Sequence, residues 1–331
     1  MNRDLLPKLV DPQDHAPLQL QAEPREGPAI SEGTLVSLSG KTYSVVRGIP
    51  RFVSGEEYAS SFGYQWNKYA RLQLDSENGT NFSRDRFREI TGWGPEDLRG
   101  AWVLDGGCGA GRFAEIALAM GARVVAVDLS SSVDACRQNL SQHQRLDVVQ
   151  ASLYQLPFRE GVFDFVYSIG VIQHTPDPKA AVLALANRVK PGGRLGLWIY
   201  EKDWKAYLGT VGFKYFLRPW TRKMSRTEVE RFSNRLEALC WPVNQMARRC
   251  GLVGRIVMRM LPVASAYLQN VPLKDGDFRE WVRLDTFDMY SPAHDHPQRF
   301  SVVASWLQEA GFENIRRHPH GGISITAQRS R

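Results

Sequence analysis

A short run of acidic and glycine residues is the part of this 331-residue sequence best suited to chemistry. Asp105 opens a D-x-G-x-G-x-G pattern, and Asp128 follows 17 residues after its last glycine. The spaced glycines of the pattern are Gly107, Gly109 and Gly111. Glycines let a backbone turn sharply and approach a ligand without an interfering Cβ atom. The pattern therefore predicts a ligand-binding loop with two carboxylates beside it.

The position of the acid distinguishes between two kinds of nucleotide ligand. A nicotinamide-binding loop requires G-x-G-x-x-G, and counting from Gly107 puts Arg112 at its last glycine. Asp105 would also repel a pyrophosphate. S-adenosylmethionine suits the pattern better, because helix-opening amides can face its carboxylate and Asp105 can attract its ammonium group. Asp128 is then expected to accept hydrogen bonds from both ribose hydroxyls.

The segments around this loop alternate between strand-like and helix-like runs from residue 101 to residue 200. Such alternation predicts parallel strands joined by crossover helices. After an interruption, a helix and two strands follow near the C-terminus. We predict an α/β, doubly wound, Rossmann-like sheet of seven mostly parallel strands with helices on both faces. A small β-rich module precedes it, and a helical insertion follows its fifth strand.

The run from Val103 to Phe113 resembles the class I S-adenosylmethionine-dependent methyltransferases, the broad type that includes quinone-pathway methylases. Later motifs of that family match residues 150–158, 163–174 and 189–193. The resemblance implies S-adenosylmethionine as cofactor and adds the following contacts to it: Leu129, Ser152, Leu153, Ser168 and Ile169. Ser152 stands where the family usually has an aspartate against adenine, and it can accept a hydrogen bond without the charge.

The predicted organisation has four parts. Residues 1–53 resemble the Trm112-like or zinc-ribbon modules that often precede such domains. Asp11, Asp14, Val36 and Ser39 align with the cysteines that hold zinc there, and because Val36 cannot ligate a metal we predict none. Residues 54–100 are expected to form a helical cap, residues 101–200 with 291–331 the cofactor-binding domain, and residues 201–290 the insertion.

Several side chains are candidates for the acceptor side of the site. His174 leaves the fourth strand at the ligand-binding edge and is the candidate general base, with loop packing as the alternative. Tyr64 and Trp66 in the cap could flank a sulfonium cation or serve as core anchors. For Tyr290, His294 and His296 we favour substrate contact, since metal binding around Asp295 is a weaker interpretation.

The insertion is basic and aromatic. Residues 205–260 contain 12 Lys and Arg and three Glu, a net charge of +9, although the whole chain carries only +7. This segment could lie on an anionic membrane and reach a lipid-linked acceptor, form a lid for anionic substrates, or pack as a dimerisation subdomain. Nucleic acid is a poorer match, because known RNA- and DNA-reading signatures are missing.

Composition and the N-terminal sequence exclude several classes of protein and favour one compartment. The 43% hydrophobic content excludes a disordered or fibrous chain, and no apolar run reaches the about 18 residues that span a membrane. The N-terminus lacks a signal-peptide pattern, and the four cysteines form no C-x-x-C pair, which favours the cytoplasm.

Two classes of function remain open. We expect a methyltransferase acting on O, N or C of a metabolite, sugar or lipid-linked molecule. The alternatives are a non-catalytic cofactor-binding partner in an assembly, or a relative that transfers aminopropyl groups.

Overall fold

The computed structural model describes residues 1–22, 29–53, 57–202 and 209–331. Its N-terminal part is an antiparallel sheet with strands in chain order: β1 (Leu18–Ala22), β2 (Gly33–Ser37), β3 (Thr42–Val46) and β4 (Ile49–Pro50). Near the predicted degenerate metal positions, Lys41 Nζ lies 3.6 Å from Asp11 and 3.9 Å from Asp14. The Trm112-like resemblance of this module stays a prediction.

The central sheet has seven strands in the order β10–β11–β9–β8–β5–β6–β7. Their bounds are β5 (Trp102–Gly106), β6 (Arg123–Asp128), β7 (Leu146–Gln150), β8 (Phe163–Ile169), β9 (Val189–Ile199), β10 (Phe312–His318) and β11 (Ile323–Arg329). Strands β5 to β9 pair in parallel, and β11 runs antiparallel to β9 and β10. The predicted mostly parallel, Rossmann-like sheet is confirmed.

Helices cover both faces of this sheet. They are α1 (Ser60–Lys68), α2 (Asp75–Asn78), α3 (Phe82–Thr91), α4 (Pro95–Leu98), α5 (Arg112–Ala119), α6 (Ser132–Asn139), α7 (Pro178–Ala186) and α12 (Phe300–Glu309). Alternate side chains of a strand point to opposite faces. Val124 and Ala126 accordingly belong to the core cluster that includes residues of α5 and α6, whereas Val125 and Val127 belong to the cluster on the opposite face, which includes residues of the N-terminal module, α7 and α12.

The insertion between β9 and α12 is helical, as predicted. Its helices are α8 (Thr210–Thr221), α9 (Arg226–Ala247), α10 (Gly251–Arg259) and α11 (Asp275–Tyr290). Helix α9 begins with a capping box, in which Ser225 and Glu228 exchange hydrogen bonds with each other's backbone amides. Within the described part of the chain, no helix is long and apolar enough to cross a membrane.

Candidate functional site

The glycine loop joins β5 to α5 at the carboxyl edge of the sheet. Gly107 has a φ of +88°, and a Cβ atom there would lie 2.4 Å from Cγ2 of Val171. Gly111 caps α5 with a φ of +96°, and a Cβ atom there would lie 2.9 Å from Leu140. Both positions therefore require glycine, for backbone conformation and for space.

Asp128 at the end of β6 is bound to this loop. Its Oδ2 accepts a hydrogen bond from the Gly109 amide at 3.0 Å, and its Oδ1 accepts from the amide and the hydroxyl of Ser130 at 2.9 and 2.8 Å. Burial raises the pKa of Asp128, and the hydrogen bonds from Ser130 and Gly109 oppose that rise. Oδ1 thus accepts two hydrogen bonds, whereas Oδ2 accepts one and keeps a free lone pair, so Asp128 can still accept from a ligand hydroxyl.

Asp105, before the first glycine of the loop pattern, has a buried carboxyl. The residue is 3% exposed, and its Oδ2 has no hydrogen-bond partner among the described residues. Burial raises the pKa of Asp105 to about 8. Buried polar atoms without partners are rare in folded proteins. This carboxyl and the Cβ-free surface of the loop fit a small ligand that carries positive charge, as S-adenosylmethionine does.

The other predicted cofactor residues surround the same loop to different extents. The Ser168 hydroxyl donates to the Gly106 carbonyl at 2.7 Å, and a Cβ atom on Gly106 would lie 3.5 Å from Leu153. Ser152 caps a short 3-10 helix by accepting from the Tyr154 amide at 3.3 Å. Two further predicted contacts are buried at the ends of β6 and β8: Leu129 and Ile169. Their contact with the cofactor stays a prediction.

Helix α1 places the two aromatic candidates in different surroundings. The indole Nε1 of Trp66 lies 3.1 Å from where a Cβ atom on Gly109 would be, so Trp66 covers the glycine loop. Tyr64 instead donates from its hydroxyl to Glu230 of α9 at 2.8 and 2.9 Å. Trp66 is thus beside the predicted cofactor site, whereas Tyr64 joins the cap to the insertion.

His174 is buried at the exit from β8 and 4% exposed. Its Nδ1 lies 3.0 Å from the His294 carbonyl oxygen, which can only accept, so Nδ1 carries the proton. Its Nε2 is buried and has no hydrogen-bond partner in the part of the chain that the structure describes, and burial lowers the pKa of the ring. At neutral pH the imidazole is therefore neutral, with an unused lone pair on Nε2. This is the form that a general base needs.

The segment after α11 holds His174 by its backbone. His294 contributes its carbonyl to the His174 ring, and the His296 amide donates to the Gln173 carbonyl at 2.7 Å. The two imidazoles lie beside each other, with ring centroids 5.6 Å apart. In the described part of the chain, no cluster of side chains suited to metal binding is found. Substrate contact by these imidazoles stays a prediction.

The expectation for Tyr290 is corrected. Its side chain is fully buried, its hydroxyl donates to the Pro262 carbonyl at 2.9 Å, and its ring packs on Phe232. Tyr290 lies in the last turn of α11, and both its ring and its hydroxyl contact other residues of the insertion. We assign Tyr290 to packing and not to substrate contact.

A buried polar cluster, which sequence reasoning missed, lies between the sheet edge and α11. Five of its residues carry buried polar atoms that have no partner among the residues described: Gln65, Arg86, Arg112, Gln173 and His174. The Gln65 amide reaches Asp288 at 3.0 Å, and the His174 and Tyr200 rings are 5.3 Å apart.

Arg112, the first residue of α5 after the glycine loop, interacts electrostatically with Arg86 and Asp285. Burial lowers the pKa of Arg112 to about 9, with a further lowering by Arg86. Burial also raises the pKa of Asp285 well above its usual range, while the two arginines oppose that rise. A signal for Asp285 and Asp288 existed in the sequence, since two acids three residues apart on one helix share a face. Unused donors and acceptors at this place form a candidate binding surface for a polar ligand.

The comparisons with known proteins agree with this geometry. Residues 104–197 match the family model described as "Methyltransferase domain". This part of the chain is similar to a methyltransferase domain, and the match confirms the predicted resemblance to class I S-adenosylmethionine-dependent methyltransferases. It also confirms S-adenosylmethionine as the cofactor that the loop pattern predicts.

Similar relatives share the name "Ubiquinone biosynthesis O-methyltransferase". The one from Aromatoleum aromaticum is 37% identical over 125 residues, which is 37% of this chain and 53% of that protein. The one from Coxiella burnetii is 34% identical over 121 residues, 36% and 52% of the two chains. The chain thus spans about half the length of the curated relatives it matches. A solved O-methyltransferase family protein from Burkholderia thailandensis is 14% identical, with a TM-score of 0.45 over 75% of this chain and 56% of that one.

Proposed function

We propose that this protein transfers a methyl group from S-adenosylmethionine to a hydroxyl of a small, polar acceptor. The observation that carries the proposal is the buried Asp105 carboxyl, whose Oδ2 has no hydrogen-bond partner among the described residues and which lies beside a glycine loop that admits no Cβ atoms. The family match of residues 104–197 supports it independently. The name of the relatives, an O-methyltransferase, favours oxygen among the possible acceptor atoms.

When bound, S-adenosylmethionine supplies a methyl group activated by its positively charged sulfur. Asp105 would hold its ammonium group, the amides at the start of α5 its carboxylate, and Asp128 its ribose hydroxyls. Trp66 lies against the loop and would exclude water from it. In this arrangement the chain contributes mainly alignment and a dry, preorganised environment.

The acceptor site of this proposal is the buried polar cluster. Its free donors and acceptors, on Gln65, Arg86 and Gln173, would orient a polar acceptor. His174 would take the hydroxyl proton on Nε2, because its Nδ1 proton is fixed by the His294 carbonyl. A base in this position typically contributes a factor of about 10² to 10⁴ to the rate.

Two measurements test the proposal. Calorimetric titration with S-adenosylmethionine should show one site, and Asp128→Asn should weaken it by about ten- to a hundred-fold, the loss of a charge-assisted hydrogen bond. Asp85→Asn, which changes an exposed carboxylate on α3, is the matched control and should bind normally. Release of S-adenosylhomocysteine, followed across a panel of hydroxylated acceptors, then reports turnover. Tight binding without turnover on any acceptor would contradict the enzyme and favour a non-catalytic partner.

The proposal includes the compartment in which the protein works. All four cysteines are free thiols, and three of them are buried. Unpaired thiols in a chain of this size suit a reducing compartment, so we place the protein in the cytoplasm.

A further inference from the structure

The insertion displays an extensive apolar surface to solvent. Twelve of the fifteen large hydrophobic side chains that are exposed among the described residues lie between residues 209 and 260. We name these twelve the exposed apolar surface: Phe213, Phe216, Trp220, Met224, Leu239, Val243, Met246, Leu252, Val253, Ile256, Val257 and Met260. Monomeric proteins rarely leave contiguous apolar surface of this kind uncovered unless something binds there.

Helix α8 is amphipathic, but its charged side chains face the interior and its aromatic side chains face solvent. Its Lys214 and Arg218 are buried, with Lys214 Nζ 2.6 Å from Asp295, whereas Phe216 and Trp220 are 66% and 54% exposed. Their rings are 5.4 Å apart, one helical turn from each other. The buried cations find their partner inside, so the helix cannot turn its aromatic stripe inward without leaving those charges unpaired.

Helix α10 is fixed in the same outward orientation by its glycine. A Cβ atom on Gly254 would lie 1.7 Å from the Ala247 carbonyl oxygen, so this face of the helix packs directly on the end of α9. Leu252 and Ile256 lie on the other side, and Leu252 is 72% exposed. The first turn of α8 contacts the last turn of α10, where the Thr210 hydroxyl donates to the Arg259 carbonyl at 2.9 Å.

The edges of this surface are basic. Between residues 209 and 260, seven cations are exposed and form no ion pair within the described residues: Arg222, Lys223, Arg226, Arg231, Arg235, Arg249 and Arg259. Residues 205–260 carry a net charge of +9, so the rest of the chain, which totals +7 with them, is slightly acidic. Positive charge is thus concentrated where the apolar side chains are exposed.

We propose that the exposed apolar surface and its basic edges bind the protein to an anionic lipid bilayer. Apolar stripes flanked by arginines are the pattern of helices that lie in the interface of a membrane. No helix of the described residues could span it. A bilayer accepts apolar side chains from three helices without requiring a complementary shape. A second copy of the chain is the less suitable occupant, because a symmetric contact would place the basic edges against each other.

Co-sedimentation with lipid vesicles tests this inference on the full chain. The protein should pellet with vesicles that contain phosphatidylglycerol, remain in solution with phosphatidylcholine alone, and dissociate as salt is raised. Leu252→Ser with Ile256→Ser should weaken binding at least about ten-fold, from the lost burial of two apolar side chains. Arg249→Glu with Arg259→Glu should weaken it by a similar factor or more.

Matched controls use side chains of the same kind outside the insertion. Leu38→Ser removes an equally exposed leucine, 74% accessible, from the N-terminal module, and Arg316→Glu reverses an exposed charge on β10. Both variants should bind as the wild type does.

Two results would overturn the inference. One is equal binding to both kinds of vesicle, or none to either. The other is a dimer, seen by light scattering, that the Leu252→Ser and Ile256→Ser changes dissociate, since a second copy would then cover the surface. Neither readout depends on methyl transfer, so this inference and the proposed function can fail separately.

Discussion

Replacement of Asp105 by asparagine tests the cofactor site most directly, because binding and stability should change in opposite directions. With a pKa of about 8, this carboxyl holds its proton in about nine of ten molecules at pH 7. A positively charged ligand beside it requires the ionised form. Binding at pH 7 should therefore release close to one proton, and the association constant should rise about ten-fold per pH unit from pH 6 towards pH 8.

The raised pKa of Asp105 also makes the stability of the folded protein depend on pH. In the unfolded chain Asp105 titrates near its ordinary pKa of 3.8, so between about pH 4 and pH 8 the folded protein holds a proton that the unfolded chain has lost. Stability then falls as pH rises, by about 1.4 kcal/mol per unit, and the total is about 4 kcal/mol at pH 7. Asp105→Asn cannot ionise, so its free energy of unfolding should exceed that of the wild type by this amount at pH 7 and by less than half as much at pH 5.

Urea denaturation at the two pH values measures the stability difference. Calorimetry in two buffers of different ionisation enthalpy measures the proton release. Asp105→Asn should bind S-adenosylmethionine at least about ten-fold more weakly and without a proton-linked slope. If the wild type released no proton and the variant bound equally well, Asp105 would not face the ligand, and the assignment of the loop would be refuted.

Three further substitutions have defined outcomes. Gly107→Ala should abolish cofactor binding and lower the melting temperature, because the new methyl group would overlap Val171 at a left-handed φ; normal binding would contradict the loop geometry. His174→Ala should leave cofactor binding intact while turnover, measured as S-adenosylhomocysteine release, falls about 10² to 10⁴-fold, and unchanged turnover would remove the general base. Tyr290→Phe should cost about 1 kcal/mol of stability in urea, for the hydrogen bond to Pro262, and a raised KM for the acceptor would reinstate its substrate role.

The sequence alone predicted the frame of the cofactor site. The alternation of apolar runs with capped helices gave the order of elements, and the spacing of Asp105, the three glycines and Asp128 placed both acids at one edge of the sheet. These features are local, since a strand end, a tight turn and a helix start depend on a few neighbouring residues. The structure and the family match agree with this predicted order of elements and with the glycine loop.

The acceptor side was less predictable from sequence. Tyr290 looked like a substrate contact and is packed inside the insertion. Arg86 carried no motif, and the spacing of Asp285 and Asp288 on α11 did not show that Asp285 would lie beside two buried arginines. Their positions depend on how α3 and α11 pack over the sheet. Residues from distant parts of the chain meet there, and no local pattern encodes that meeting.

The amino-acid sequence by itself thus determined the sheet, the glycine loop and the charge of the insertion. Only the tertiary structure decided which side chains that insertion would bury. On α8 the pairing of Lys214 with Asp295, a residue 81 positions away, turns two aromatic rings to solvent. Helical periodicity defines the two faces of such a helix, but the free energy of burying a charge beside its partner selects the face that points inward.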